Sequence, residues 1–342
     1  MSIATARAHP NIALVKYWGK RDEDLILPAA GSLSLTLDVF PTTTTVRLQD
    51  SADPPAQDVF TLNGAPADEK ATARVSHLLD IVRDLAGTTA RTHVDSISEI
   101  PVAAGLASSA AGFAALAVAA AGAYGLDLDT AALSRLARRG SGSASRSLIG
   151  GLAVWNAGQD DATSYAESVD GPDLAMVLLS LDRGQKPVSS REAMRRTAAT
   201  SPYYDGWVSS TAATLEQALA ACRDGDVARL GELTEISALR MHAAILACEP
   251  PIRYLTPASW AVFADIEQLR SEGVPVYGTA DAGPNVVALT TPEHAELVSQ
   301  RLEHHGAATI SGAGPAATTV PTLAADATPA AAPTPPTAGG EA

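Results

Sequence analysis

Apolar residues recur along this chain at two spacings, one typical of β-strands and one typical of α-helices. Alternating or uniformly apolar runs predict strands at residues 42–48, 59–62, 93–100, 150–154, 176–181, 274–279 and 286–290. Apolar residues three or four positions apart predict helices at residues 75–85, 110–124, 130–139, 208–223, 227–247, 259–272 and 293–304. The order is mixed, and hairpins join several neighbouring strands. This favours an α+β fold over a doubly wound parallel sheet.

Single residues predict where several of these elements end. Asn63 and Gly64 follow a predicted strand and form a strong hairpin-turn signal. Gly87 can end the first helix in a left-handed conformation. Asp129 is an N-cap candidate for the helix at residues 130–139, which Gly140 would stop.

The composition indicates a globular protein and excludes several partners. The 342 residues are 46% hydrophobic and 18% charged, enough apolar material for one large or two medium domains. Acidic residues outnumber basic ones by 38 to 24, a net charge of -14, which argues against nucleic-acid and anionic-membrane binding. That balance still allows a local basic pocket for a small anion.

No segment has the pattern of an export signal or a membrane span. Residues 1–10 lack the apolar region of a secretory signal, and the apolar run at residues 110–125 is short and dominated by alanine. The two cysteines, Cys222 and Cys248, favour free thiols, with a single disulfide as the alternative. We therefore expect a cytoplasmic protein. Residues 321–342 are rich in proline, alanine and threonine, which predicts a flexible tail.

A glycine- and serine-rich segment precedes the alanine-rich helix. Gly105 and Gly112 allow close backbone approach, and Ser108 and Ser109 offer hydroxyl groups. The start of the helix adds unpaired N–H groups and the positive end of its dipole, so this segment predicts a phosphate site. The alternative is an alanine-rich helix with a serine cap. The segment is neither a Walker loop nor a GxGxxG fingerprint.

Three other segments combine basic side chains with hydroxyl groups. They are HPNIALVKYWGK at residues 9–20, RRGSGSASRS at residues 138–147 and KPVSSR at residues 186–191. Arginine suits carboxylate or phosphate because its planar guanidinium forms paired hydrogen bonds. Each segment alone is also consistent with a solvated surface. Together, in a chain of net charge -14, they predict an anion-binding pocket.

Asp281 lies in a tight turn, TADAGPN at residues 279–285, after an apolar strand. A carboxylate there can act as a general base if a cation holds it ionised. The alternative is a turn-forming aspartate.

No set of histidine, cysteine and aspartate residues has metal-ligand spacing, so we predict no metal site built from side chains. No G-x-S-x-G elbow is present, and aromatic residues make up 4% of the chain, which disfavours a nucleic-acid stacking platform.

Taken in order, these segments resemble the diphosphomevalonate decarboxylase family of the GHMP kinase superfamily. NIALVKYWGK at residues 11–20 and DAGPN at residues 281–285 are its most specific motifs. AGLASSAAG at residues 104–112 resembles the superfamily's ATP phosphate loop, and GSGSASRS and VSSREAM fit as well. The resemblance implies a two-lobed α+β fold with mixed and antiparallel sheets, helices and an active-site cleft between the lobes. It implies an ATP-binding domain at residues 1–175 and a C-terminal domain at residues 176–320.

The resemblance also implies an ATP- and Mg²⁺-dependent reaction in a homodimer. In that reaction the 3-hydroxyl of (R)-5-diphosphomevalonate is phosphorylated. The 3-phosphate then leaves as the carboxylate is lost. The products are isopentenyl diphosphate, ADP, phosphate and CO₂.

Residue by residue, the resemblance implies a catalytic group and two binding sets. Asp281 would orient or deprotonate the hydroxyl, Arg146 would hold the substrate carboxylate, and Lys20 would pair with Asp281. The substrate positions are Asn11, Tyr17, Lys20, Ser141, Ser143, Arg146, Ser190 and Arg191. The ATP phosphate positions are Gly105, Leu106, Ala107, Ser108, Ser109 and Ala110.

Three places depart from the family pattern. The segment from Pro28 to Ser32 lacks the usual polar residues, Ala280 replaces a larger apolar residue, and Val102 stands where threonine is common. These departures leave open a decarboxylase for another phosphorylated 3-hydroxy acid, such as 5-phosphomevalonate. A kinase that stops at the 3-phosphate is a further alternative, as is a non-catalytic binding protein on the same fold.

Overall fold

The structure, a computed structural model of the chain, describes residues 2–49, 57–101, 108–182 and 188–322. The strands are β1 (Ile3–Ala8), β2 (Asn11–Val15), β3 (Lys20–Asp22), β4 (Leu27–Pro28), β5 (Ser32–Thr36), β6 (Thr42–Leu48), β7 (Val59–Leu62), β8 (Ala65–Pro66), β9 (Thr92–Ser98), β10 (Leu152–Trp155), β11 (Ala166–Ser168), β12 (Ala175–Ser180), β13 (Tyr277–Thr279), β14 (Val286–Thr290), β15 (Ala307–Ser311) and β16 (Thr318–Val320). The helices are α1 (Glu69–Ala86), α2 (Ser108–Ala123), α3 (Thr130–Gly140), α4 (Ser190–Thr200), α5 (Tyr204–Asp224), α6 (Val227–Leu246), α7 (Pro257–Ser271) and α8 (Ala295–Leu302). Two 3-10 helices cover Gly142–Leu148 and Glu303–His305.

The strands form three main sheets and a small hairpin. The N-terminal sheet has the order β16-β1-β6-β9-β7-β8, the central sheet β11-β10-β5-β2, and the C-terminal sheet β13-β14-β12-β15. Among the described pairings, β7 and β9 run parallel and the other neighbours run antiparallel. Helices pack on these sheets, which confirms the predicted α+β fold with mixed and antiparallel sheets.

Among the described residues, four buried clusters hold the helices and sheets together, and one of them packs α4, α5 and α6 around Trp18 and Trp207. The alanine-rich helix α2 is buried with α1 against the N-terminal sheet, because its small side chains allow close approach. Apolar residues of the central sheet pack against α5, α6 and β12, so the two halves of the chain share one core. A further cluster joins the C-terminal sheet to α7 and α8. Within the described residues, no helix has the length and hydropathy needed to span a bilayer.

The turn and cap signals predicted from single residues are confirmed. Asn63 and Gly64, both with positive φ, join β7 to β8. Gly87 is left-handed at φ 63°, and its N–H donates to carbonyls in the last turn of α1. The Asp129 side chain accepts a hydrogen bond from the Ala132 N–H at the start of α3. Cys222 and Cys248 are both buried and free, as predicted.

Other predicted boundaries are wrong, and some elements were missed. The strand predicted at residues 274–279 covers only Tyr277–Thr279. Val274 instead donates to the Leu269 carbonyl at the end of α7, and Pro275 has no N–H for a ladder. Helix α4 and strands β1, β2 and β5 were not predicted. The tail predicted at residues 321–342 lies outside the described residues except for 321 and 322.

The last of the described strands returns to the first half of the chain. Strand β16 pairs with β1 at the edge of the N-terminal sheet, through pairs such as Thr5 with Val320. The Gly314 N–H also donates to the Thr36 carbonyl at 2.7 Å. The division of the chain near residue 175 remains a prediction, and this return tethers its C-terminal part to the N-terminal sheet.

Candidate active site

A cavity of about 440 Å³ lies where the predicted anion-binding segments and the Asp281 turn converge in space. Its size is in the range of small-molecule sites. Ten predicted site residues line it, namely Tyr17, Lys20, Ser108, Ser109, Ser141, Ser143, Arg146, Ser190, Arg191 and Asp281. The fold thus brings residues from the start, middle and end of the chain into one site.

The cavity is strongly basic although the chain is acidic. Its lining includes six basic side chains, Lys16, Lys20, Lys70, Arg74, Arg146 and Arg191, and one carboxylate, Asp281. The chain as a whole carries a net charge of -14. A concentration of positive charge in such a protein favours an anionic ligand. The basic pocket inferred from the sequence is therefore present.

Asp281 pairs with a lysine other than the predicted one. The Lys16 Nζ lies 2.6 Å from the Asp281 Oδ1 and also donates to the Ala13 carbonyl at 2.8 Å. The predicted pair of Lys20 with Asp281 does not appear among the described contacts, because Lys20 donates to Glu23 at 2.6 Å. Lys16 directly follows β2, which is buried along its whole length, whereas Lys20 begins the β3–β4 hairpin.

Lys16 is a buried cation whose charge depends on its partner. Its side chain is 1% exposed, compared with 28% for Asp281. Burial lowers the pKa of Lys16, and the neighbouring Asp281 carboxylate opposes that shift. The pair is mutually stabilising, because each charge favours the charged form of the other.

Arg146 is held in place from behind the cavity. Its Nη1 donates to the Ser32 Oγ at 2.6 Å, and its Nη2 and Nε donate to the Asn11 Oδ1 at 3.1 and 3.3 Å. Burial lowers the pKa of Arg146 to about 10, and the Asp281 carboxylate opposes that shift. Because no carboxylate is hydrogen-bonded to this guanidinium among the described residues, its charge remains available to a ligand.

Asn11 has a different place from the one predicted for a substrate contact. It is absent from the cavity lining described by the structure. Its amide donates to the Ser143 carbonyl and the Ser147 Oγ, at 3.0 and 2.7 Å, while its oxygen accepts from Arg146. Asn11 therefore orients Arg146 and the 3-10 helix of the GSGSASRS motif.

The start of α2 meets the GSGSASRS motif through hydroxyl groups. Ser109 Oγ lies 3.1 Å from Ser141 Oγ, which lies 3.4 Å from Ser143 Oγ. These groups surround the end of the cavity at a helix N-terminus, where N–H groups favour phosphate. Of the other predicted ATP positions, Ala110 is buried and absent from the lining. Gly105, Leu106 and Ala107 lie outside the described residues.

Two arginines converge on one carbonyl at the edge of the cavity. Arg74 and Arg191 each donate an Nη2 hydrogen bond to the Gly140 carbonyl, at 3.1 and 3.2 Å. Burial and the nearby Arg191 charge lower the pKa of Arg74 to about 10. A methyl group at Gly140 would overlap the Phe113 ring, so glycine is required for this approach. Two like charges held this close together favour a multivalent anion between them.

The sequence reasoning missed three basic residues of this site. Lys70 and Arg74 are four residues apart in α1, so they share one face of that helix. That spacing indicates a pair of neighbouring basic side chains and could have identified both residues. Lys16 belongs to the predicted anion-binding segment at residues 9–20, for which a solvated face was the alternative, but no role was predicted for Lys16 itself. The preceding apolar run at residues 13–15 was the signal for its burial.

Two of the three sequence departures noted above lie outside the described cavity lining. Residues 28–32 and Ala280 do not line it. A side chain at Gly31 would meet Leu215 of α5, and Ala280 is fully buried. Val102 lies outside the described residues.

Comparison with known families relates both halves of the chain to one enzyme. Residues 8–166 match the diphosphomevalonate decarboxylase-like N-terminal domain, and residues 176–323 match the mevalonate 5-diphosphate decarboxylase C-terminal domain. Diphosphomevalonate decarboxylase mvd1 from Aspergillus fumigatus is 38% identical over 86% of this chain and 78% of its own length. The human diphosphomevalonate decarboxylase is 36% identical, over 85% of this chain and 77% of its own length.

Solved structures show the same similarity in three dimensions. The mevalonate diphosphate decarboxylase from Staphylococcus aureus has a TM-score of 0.89 and 41% identity, covering 94% of this chain and 98% of its own. That from Enterococcus faecalis has a TM-score of 0.87 and 44% identity, covering 94% and 99%. A structure described as MDDEF in complex with MVAPP, AMPPCP and magnesium has a TM-score of 0.88 and 45% identity, also covering 94% and 99%.

Proposed function

Because this chain belongs to the diphosphomevalonate decarboxylase family, we propose that it converts (R)-5-diphosphomevalonate to isopentenyl diphosphate. The reaction consumes ATP and releases ADP, phosphate and CO₂, so the enzyme is a carboxy-lyase of the mevalonate pathway. The observation that carries the proposal is the basic cavity in which Asp281, the one carboxylate among the described lining residues, lies beside Lys16 and Arg146.

Asp281 is the group that acts on the 3-hydroxyl. The positive charges of Lys16 and Arg146 favour its ionised form. An ionised carboxylate can orient the hydroxyl and accept its proton as the phosphoryl group is transferred. The tertiary alcohol is crowded, so positioning supplies much of the catalysis.

Different basic and hydroxyl side chains bind different parts of the substrate. Arg146 faces Asp281 and holds the substrate carboxylate next to the reacting carbon. Arg74 and Arg191 share the Gly140 carbonyl and are suited to the diphosphate. The remaining contacts to the diphosphate and carboxylate come from Tyr17, Lys20, Ser141, Ser143 and Ser190, which line the cavity.

The start of α2 is the site for the phosphates of ATP. Ser108 and Ser109 line the cavity there, and Lys70 adds positive charge. Mg²⁺ takes oxygen ligands, and Ser108, Ser109 and Asp281 present oxygen atoms to this space, so the described residues fit a magnesium–nucleotide complex. When bound, the ion neutralises charge on the transferred phosphoryl group.

Loss of CO₂ follows from the departure of the 3-phosphate. When the C3–O bond breaks, electrons of the bond between C2 and the carboxylate carbon form the new C2=C3 double bond. The cavity needs no electron sink for this step, because the departing phosphate takes the other electron pair. Arg146 stabilises the carboxylate until the bond breaks.

We also propose that the enzyme is a cytoplasmic homodimer. Two buried, free thiols support a reducing compartment. The homodimer is the assembly that the family resemblance implies. Light scattering after size-exclusion chromatography tests the dimer, and cell fractionation tests the location.

The function is tested by measuring ADP, CO₂ and product mass with ATP, Mg²⁺ and (R)-5-diphosphomevalonate. Equal ADP and CO₂ with isopentenyl diphosphate are expected. ADP without CO₂ would identify a kinase that stops at the 3-phosphate. Turnover only with 5-phosphomevalonate would identify the alternative substrate. Asp281→Asn should lose most turnover while retaining ATP binding, and near-normal turnover would remove Asp281 from the mechanism.

A further inference from the structure

A second cluster of chemically active side chains lies apart from the cavity, in the C-terminal half of the chain. Asp265 of α7 meets His304 and His305 of the 3-10 helix that follows α8. The His305 Nε2 lies 2.8 Å from the Asp265 Oδ2, and the His304 Nε2 lies 3.1 Å from the same oxygen. None of the three residues lines the active-site cavity.

We propose that Asp265, His304 and His305 bind a divalent transition-metal ion, with Zn²⁺ as the best match. The three potential ligand atoms lie within 4.8 Å of one another. Ligands of tetrahedral zinc at about 2.0–2.1 Å are about 3.3 Å apart. Small rotations of side chains would therefore place the ion among them.

The choice of metal follows from the ligand types. Two imidazoles and one carboxylate suit Zn²⁺, and they disfavour Mg²⁺, which prefers oxygen ligands. The ion would replace the hydrogen bond between His305 and the Asp265 oxygen, together with the 3.1 Å contact of His304 with the same oxygen. His304 is 61% exposed and Asp265 43% exposed, so solvent can supply a fourth ligand.

The backbone that carries the ligands is already held by core packing. Val262, Ile266 and Leu269 of α7 lie in the same buried cluster as Val298 and Leu302 of α8. His305 is only 12% exposed, so its ring has little freedom. A site whose ligands are fixed before binding loses less entropy on binding. The metal would join α7 to the segment between α8 and β15.

The test is calorimetric titration of the full chain with Zn²⁺ alone, then with Mg²⁺ present. One saturable Zn²⁺ site per chain is expected, and excess Mg²⁺ should not displace it. The double variant His304→Ala/His305→Ala should lose the site, and Asp265→Asn should weaken binding by more than about tenfold. His77→Ala, which removes an exposed histidine of α1, is the matched control and should bind as the parent does.

Thermal unfolding provides a second readout on the same proteins. Zn²⁺ should raise the Tm of the parent and of His77→Ala but not of the double variant, because ligand binding stabilises the folded state. Without metal, similar Tm values would show that the variants fold. Equal Zn²⁺ affinity in the parent and the double variant would overturn the proposal. Displacement of the bound Zn²⁺ by ATP with Mg²⁺ would also overturn the proposal.

A different observation concerns α6, which contacts the backbone next to both members of the Lys16–Asp281 pair. The Ser237 Oγ accepts a hydrogen bond from the Lys16 N–H at 2.9 Å. The His242 Nε2 lies 3.3 Å from the Ala280 carbonyl, immediately before Asp281. A carbonyl only accepts, so this contact requires the tautomer with hydrogen on Nε2.

We infer that His242 is a positioning residue that sets the place of the Asp281 turn relative to Lys16. This inference rests on the proposed function. The ring is buried, and burial together with the Lys16 charge lowers the pKa of His242 to about 4. The imidazole is therefore neutral at neutral pH and retains one N–H to donate. Without that bond the turn can move, and misplacement by about 1 Å can reduce turnover by about a hundredfold.

The test compares His242→Phe, which keeps a ring, with His242→Gln, which keeps an N–H donor. His242→Phe should lower kcat by about tenfold or more with the KM values for ATP and substrate within about twofold. His242→Gln should recover part of the loss. His9→Phe, at another buried histidine, is the control and should stay close to the parent.

Unchanged kcat in His242→Phe, or equal losses in both variants, would overturn the positioning role. A rise in KM that accounts for the whole loss of kcat/KM would also overturn the positioning role. Turnover of the parent tests the proposed function separately, so failure of the function and failure of this inference are distinguishable.

Discussion

Lys16→Met removes the ammonium group next to Asp281 and keeps an unbranched side chain in the same buried space. The lost contact is the 2.6 Å pair between the Lys16 Nζ and the Asp281 Oδ1. The hydrogen bond to the Ala13 carbonyl is lost as well. Arg146 remains nearby, so Asp281 keeps part of its positive surroundings.

The size of the effect can be estimated from the exposure of the two partners. A hydrogen bond to a charged group contributes about 1.5–3 kcal/mol. Lys16 is 1% exposed, but Asp281 is 28% exposed and partly screened by solvent. A loss of about 2 kcal/mol in the transition state is therefore reasonable, which corresponds to roughly a 30-fold decrease in kcat.

The assay is steady-state ADP release, with CO₂ release measured on the same samples. Lys16→Met, Asp281→Asn and the double variant form a cycle, because the two residues are in contact. The losses should be clearly less than additive. Lys20→Met is the comparison, since Lys20 pairs with Glu23 and should affect the substrate KM more than kcat.

Two results would refute this reasoning. A kcat within about threefold of the parent would show that the contact does not assist Asp281. Fully additive losses in the double variant would show that the two residues act independently. Thermal unfolding must show that each variant is folded before either result is accepted.

Three other predictions follow from individual contacts. Gly140→Ala should displace Phe113 and the carbonyl that orients two arginines, raising the substrate KM about tenfold or more in steady-state assays; an unchanged KM would contradict this. Arg191→Met should also raise the substrate KM by about tenfold or more through the lost charge, with a smaller effect on kcat. Burial would raise the pKa of Asp58, but hydrogen bonds, above all from Arg83, hold it below its usual value of 3.8. Its stabilisation is therefore present above that pH and lost below it. Asp58→Asn should lower the free energy of unfolding by about 3 kcal/mol at neutral pH. That free energy should also change less on acidification than it does in the parent, as urea unfolding at two pH values would show.

Local chemistry explains why much of the fold could be predicted from the sequence. The Asn63-Gly64 turn, the Gly87 C-cap and the Asp129 N-cap each depend on residues within a few positions of one another. The same holds for helices with a clear apolar spacing, such as α1 and α3. Strand β2 was missed because it is buried on both faces, so its apolar run has no alternation to detect.

The site motifs could likewise be identified from the sequence, but the contacts between them could not be predicted. The sequence determined which groups are available: the serines, the arginines and Asp281. Only the tertiary structure decided that Lys16 rather than Lys20 contacts Asp281, across 265 positions of the chain. It also placed Asn11 behind Arg146 and brought Asp265 to His305, 40 positions away. The reason is physical: caps and turns are set by neighbouring residues, whereas these contacts depend on how a shared core packs the sheets and helices.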